Sequence, residues 1–203
     1  MSRCGDTARS LPRLLRRFGR ARDGAAAVEF ALIMPMLLVL YLGSIEVTQL
    51  ISADQRVTTV AATIGDLVAR ANGEIDSGPL NDYFAAAQSI MQPYASTGLT
   101  QVITVLSVNN TTGVNQVLWS QPFNGGTARI KGQAFPANAT LSAMTGISQG
   151  TSTATSYIVV AEATYPYQPL LNLFFKSPFT LYHQTFYLPR YASEICYNVA
   201  PPC

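Results

Sequence analysis

The polar and apolar positions of this chain divide it before any composition is counted. A polar, arginine-rich start gives way at Ala25 to AAAVEFALIMPMLLVLYLGSI, which ends at Ile45 and carries one charge, Glu29. A helix of that length is about 30 Å long, the thickness of a bilayer hydrocarbon core. Beyond it the pattern becomes one-sided. Leu50, Val57, Ile64 and Ala71 recur at seven-residue spacing, with Val47, Ala61 and Val68 on the neighbouring stripe. Asp54, Gln55, Arg56, Asp66 and Arg70 fall largely on the other faces. Asn72-Gly73 suits a left-handed C-terminal cap. The pattern predicts one helix over 25–72, about 70 Å long, apolar all round in its first half and amphipathic in its second. Pro35 removes one backbone hydrogen bond and predicts a kink or local opening.

The rest reads as a small mixed domain over 73–203. A second helix is predicted over Pro79–Gln92, with Leu80, Tyr83, Phe84, Ala87, Ile90 and Met91 on one side and Pro93 ending it. Four runs rich in β-branched and aromatic residues follow: Leu99–Val108, Val114–Ser120, Ser156–Tyr165 and Phe179–Leu188. Asn109-Asn110-Thr111-Thr112-Gly113 joins the first two at hairpin length. Residues 121–155, rich in small polar residues, predict a long loop with one short helix. The expected fold class is α+β, a long N-terminal helix packed on a small antiparallel sheet. The pattern does not order the strands.

Charge sharpens the N-terminal reading. Charged residues are 12% and apolar residues 48% of the 203, which excludes a disordered chain. The net charge of +2 hides an asymmetry. Residues 1–24 hold seven arginines against Asp6 and Asp23, net +5, leaving six basic and nine acidic groups elsewhere, net −3. A basic arm of this kind is an address and leaves no basic face for nucleic acid. By the positive-inside rule the arginines stay cytoplasmic and everything after residue 45 faces outward. Leu170–Phe175 is far too short to return, so one span is expected.

Three readings compete for the apolar segment. A cleaved secretory signal needs a shorter basic region and a small-residue site after its core, and Gly43-Ser44 is a poor one. An uncleaved signal anchor fits the length but leaves Glu29 unexplained. The third reading gives the carboxylate a function. A charge costs about 2.5–3.5 kcal/mol at the centre of a span and less near the interface, so it is usually retained for a purpose.

The stretch Arg22-Asp23-Gly24-Ala25-Ala26-Ala27-Val28-Glu29-Phe30 resembles a type IV prepilin processing site. The longer phrase GAAAVEFALIMPMLLVLYLGSIEV is similar to the TadE/TadF minor-pilin (pseudopilin) family of tight-adherence (Flp/Tad) pili. The likeness is specific over 20–50 and looser over Tyr157–Arg190, where Val159–Tyr165 is followed by Leu188-Pro189-Arg190. The resemblance implies a pilin-like fold and a basic leader over 1–24, removed by a prepilin peptidase between Gly24 and Ala25. It further implies a membrane-embedded helix over 25–45, an amphipathic continuation over 46–72 and a periplasmic domain over 73–203. It assigns subunit assembly to Glu29 and Phe30. The implied partners are the inner membrane, the peptidase, other pilin subunits and an assembly platform, with no small-molecule substrate. The alternative is an uncleaved single-pass envelope protein with a periplasmic binding or structural domain.

Glu29 fits that implication physically. Cleavage would leave an amine on Ala25, one turn from the Glu29 carboxylate, and opposite charges in low dielectric attract strongly. The competing account has Glu29 reaching back to the arginine-rich interface.

Candidate chemistry beyond this is thin. The chain has no G-x-S-x-G, H-E-x-x-H, Walker or G-x-G-x-x-G motif. Its single histidine, His183, lies in a strand-like run without a nucleophile or a Cys-x-x-Cys companion. No catalysis, cofactor or metal site is expected. Cys4 lies in the leader, whereas Cys196 and Cys203 stand in the tail CYNVAPPC. On an oxidising face those two are expected to form a disulfide, the alternative being unrelated tail thiols.

Overall fold

The computed structural model describes residues 23–136, 138–148, 155–169 and 177–199. The expected leader up to residue 22, with Cys4, and Leu170–Phe175 and Cys203 therefore lie outside the described residues. The chain divides into two compact units, Met1–Val47 and Thr48–Cys203. Helix α1, Asp23–Ala69, runs through that boundary as one element of 47 residues, with Pro35 inside it.

In the first unit, α1 exposes its apolar side chains on every face, among them Phe30, Leu32, Met36 and Tyr41. It is the one helix, among the described residues, long and apolar enough to cross a membrane.

In the second unit, the seven-residue stripe becomes the centre of a core. Val57 and Ile64 are fully buried, and Ala53, Val60, Ala61 and Val68 are buried beside them. Val47 departs from its expected stripe and is exposed. The helix also ends earlier than residue 72. The amides of Arg70 and Ala71 donate to the carbonyls of Leu67 and Val68, so the last turn tightens and closes the helix at Ala69. Gly73 does adopt the left-handed conformation, φ 86°. It turns the chain into a two-residue strand, β1 (Glu74–Ile75), instead of capping the helix.

Helix α2 spans Ser77–Ser89 and buries Leu80, Phe84 and Ala87. The expected extension to Gln92 is a further tight turn: the amides of Ile90, Met91 and Gln92 each bond three residues back.

The four long strands are β2 (Thr100–Asn109), β3 (Asn115–Phe123), β4 (Thr155–Tyr167) and β5 (Phe179–Tyr187). They form one antiparallel sheet in the order β3-β2-β4-β5. The β2–β3 hairpin closes as expected, with the Asn109 carboxamide oxygen accepting from the amides of Thr111 and Thr112 at 2.9 and 3.0 Å. Helix α3 (Ala139–Ser148) is the short helix of the connection to β4, and the Asn138 side chain caps it through the Leu141 amide at 2.7 Å. Residues 121–123, expected in that loop, instead complete β3.

Both faces of the two central strands are covered over most of their length, which is why β2 and β4 bury most of their positions. Ile103, Val105, Val159, Ala161 and Ala163 pack toward α1 and α2. Leu106, Val108, Ile158 and Val160 pack on the other side against Phe135 and Leu141. The last strand, β6 (Cys196–Tyr197), pairs in parallel with β1, an element too short to show any period in the sequence.

Gly65 lets α1 lie close against the sheet. A Cβ there would lie 2.7 Å from the Tyr187 ring and 3.1 Å from Ala161. Gly65→Leu is therefore expected to destabilise the globular unit by about 1–3 kcal/mol. A thermal melt of the full chain in detergent checks this, and an unchanged melting temperature contradicts the close contact.

Candidate functional site: the exposed start of helix α1 and a polar cleft on the sheet

Gly24, Ala25, Glu29 and Phe30 occupy the first two turns of α1, and all are exposed. Ala25 and Glu29 stand four residues apart, so they share a helix face one turn from each other. Among the described residues, Glu29 makes no ion pair. Among the described residues, nothing lies within 4 Å of a Cβ built on Gly24. A helix this apolar on all faces requires lipid or other apolar helices around it. A carboxylate within such surroundings is stabilised by a cationic partner.

Cys196 is disulfide-bonded, and its partner lies outside the described residues. The strand that carries it is held independently of that bond. The Cys196 amide donates to the Gly73 carbonyl at 2.9 Å, and the Asn198 amide to the Ile75 carbonyl at 3.1 Å. The Trp119 indole N–H donates to the Ile195 carbonyl at 2.6 Å, and its ring lies 5.5 Å from that of Tyr197. Upstream, Arg190 reaches Asp66 at 2.6 Å, while Arg70 holds the other oxygen of the same carboxylate.

His183 lies in β5, in the strand-like run of the sequence reading, and has an acidic partner. Its Nε2 lies 2.6 Å from an Asp54 carboxylate oxygen, tying β5 to α1 within the globular unit. Among the described residues, no group of three or more His, Cys, Asp or Glu side chains is placed to hold a metal ion.

A second polar arrangement escaped the sequence reading. The Glu162 carboxylate projects from β4 on the sheet face away from α1, with its side chain only 5% exposed. Arg129 grips it with two nitrogens, Nε at 3.2 Å and Nη2 at 2.5 Å, and the Tyr182 hydroxyl of β5 donates to it at 2.6 Å. The Arg129 guanidinium also lies 5.0 Å from the Phe135 ring centroid. The available signal was one acidic residue inside the apolar run Ile158–Ala163. A buried carboxylate of that kind demands a partner.

The bonds and burial set the ionisation of the cluster. Hydrogen bonding to Glu162 raises the Arg129 pKa above its already high value, so the guanidinium stays charged. Burial, then the hydrogen bond to Glu162, raises Tyr182 far above an ordinary phenol, so its hydroxyl keeps its proton. Arg129 and Tyr182 therefore both keep their protons.

Burial also raises Tyr157, Tyr165 and Tyr187. A tyrosine whose folded pKa exceeds its unfolded value contributes stability that is fully present below about pH 10 and is lost as pH rises through the folded value. Phenolate absorbance at 295 nm is therefore expected to lag in part of the ten tyrosines until the chain unfolds in alkali. Complete titration near pH 10 with the fold intact would contradict the burial.

Residues 24–65 match a family model described as TadE-like protein. The match covers 42 of the 203 residues, all within α1, and does not extend to the looser likeness over 157–190. No curated protein and no solved structure matches the chain.

Proposed function

We propose that this chain, TadE-like over residues 24–65, is a membrane-anchored minor pilin or pseudopilin that takes part in assembling a tight-adherence (Flp/Tad) pilus. One observation carries the reading: an apolar, fully exposed start to α1 bears a single carboxylate one turn from Ala25. In this reading a prepilin peptidase cuts between Gly24 and Ala25, and Ala25 becomes the N-terminus. Helix α1 crosses the inner membrane with its arginine-rich leader cytoplasmic and the globular unit periplasmic. Glu29 then neutralises the amine of a neighbouring pilin as the helices pack, which selects an axial register. Phe30 supplies apolar contact at the same level. The partners are the peptidase, other pilin subunits and the assembly platform, and the chain performs no catalysis of its own. Cys196 is assigned to Cys203 in an oxidising compartment.

The experiment is the intact mass, or the N-terminal sequence, of protein extracted from membranes. The expected result is a chain beginning at Ala25, whereas the full-length mass would leave an uncleaved envelope protein in its place. Gly24→Ser is expected to trap the precursor, visible as a mass increase equal to the leader. Because a side chain at Gly24 meets nothing among the described residues, that block would act on processing and leave the fold intact.

A further inference from the structure

The sheet face turned away from α1 has two halves. Phe135 and Leu141 cover one of them. The other stays open, with Thr100, Val102, Glu162 and Thr164 lining a cleft of about 460 Å³, within the size range of small-ligand pockets. Its wall is the segment Gly125–Ile130, which Arg129 ties down to Glu162. Gly126 lets that wall lie against β2, because a Cβ there would come within 2.8 Å of the Gln101 carbonyl oxygen.

Charge narrows the occupant first. The lining holds one guanidinium and one carboxylate, already joined by two hydrogen bonds, so neither an anion nor a cation meets a surplus of opposite charge.

Hydrogen bonding narrows it further. Glu162 already accepts three bonds. What remains for a ligand alternates between donors and acceptors. Arg129 Nη1 has no acceptor among the described residues. The Tyr182 hydroxyl gives its proton to Glu162 and keeps its lone pairs, and the Thr164 hydroxyl and Gln133 carboxamide can do both.

Shape completes the set: the Tyr182 side chain is 46% exposed, beside the apolar Val102 and Ile130. A neutral ring with hydroxyls that both donate and accept, and with a C–H face to lay on an aromatic, matches all three properties. A peptide strand is instead read through the backbone of a sheet edge, and this cleft presents a sheet face.

We propose that the cleft formed by β2, β4, β5 and the segment 125–133 binds a neutral saccharide, held by Arg129 Nη1, the Tyr182 ring and hydroxyl, and Thr164. The site lies wholly in the globular unit and does not depend on the assembly role of α1. Amino-sugar glycans and plain hexose polysaccharides share this chemistry.

The test is saturation-transfer NMR on the full chain, purified in a sugar-free detergent, with N,N′-diacetylchitobiose and cellobiose as separate probes. Transfer to either supports the site, and the preferred probe identifies the glycan class. Transfer to neither overturns it. Ala128→Trp places a large ring at an exposed position of the cleft wall. It is expected to abolish transfer without moving the melting temperature. Tyr182→Phe and Thr164→Val each remove one hydroxyl and are expected to weaken binding roughly threefold to tenfold. If Ala128→Trp does not fold, those two variants decide. Undiminished binding in both, or full transfer in a folded Ala128→Trp, places the ligand elsewhere and overturns the proposal.

Discussion

Glu29→Val is expected to stay in the membrane and yet disappear from assembled pili. The substitution makes the span more apolar, so insertion improves. In the proposed function, what it removes is the acceptor for a neighbouring subunit's N-terminal amine. An amine left uncompensated in an apolar bundle costs about 3–5 kcal/mol, which lowers its incorporation by about two to four powers of ten. Glu29→Gln keeps a hydrogen-bond acceptor without the charge and is expected to fall between the two. Immunoblots of the membrane fraction and of sheared surface pili, run side by side, separate anchoring from assembly. Normal incorporation of the Val variant would end the assembly role of Glu29 while leaving the membrane anchor untouched. The exposure of Glu29 on α1 matters here, since no contact among the described residues explains its retention.

The second large effect is expected at the tail. Cys196 is fully buried and disulfide-bonded, on a strand that pairs with β1. If its partner is Cys203, the bridge closes a short loop and contributes about 2.5 kcal/mol by restricting the unfolded chain. For a chain of this size that corresponds to a loss of about 5–10 °C in melting temperature for Cys203→Ser. Cys196→Ser should fall at least as far, because it also places a hydroxyl in a fully buried position. The pair of variants identifies the partner. An unchanged melting temperature for Cys203→Ser, with Cys196→Ser destabilised, would point to Cys4, the only other cysteine. A Cys4 bridge would also conflict with removal of the leader. The backbone bonds from Cys196 to Gly73 and from Asn198 to Ile75 keep β6 docked in every variant, so the effect measures the bridge and not loss of the strand.

The Arg129–Glu162 pair behaves differently from either. Removing Arg129 would leave a carboxylate 5% exposed with only the Tyr182 hydroxyl, and its cost would mix fold and site. That is why the cleft is probed from its wall and its hydroxyls.

The amino-acid sequence by itself determined the elements whose signal is local. The apolar run from Ala25 and the seven-residue stripe through Val57 and Ile64 specify α1, because helical periodicity is set within a few residues. The β-branched runs place the four long strands to within a few residues for the same reason, and Asn109 to Gly113 close their hairpin. The polar pattern around Gly24 and Glu29 was equally legible, since a lone charge in an apolar span stands out without any structure. Only the tertiary structure decided the order β3-β2-β4-β5 and the pairing of β1 with β6. Strand pairing depends on which distant surfaces bury together, and a two-residue strand has no period to read. The same holds for the polar cluster. Arg129 and Glu162 are 33 positions apart, and Asp54 and His183 are 129 apart. Which charge answers a buried carboxylate is settled by the folded backbone that brings them within reach, and no local spacing encodes it.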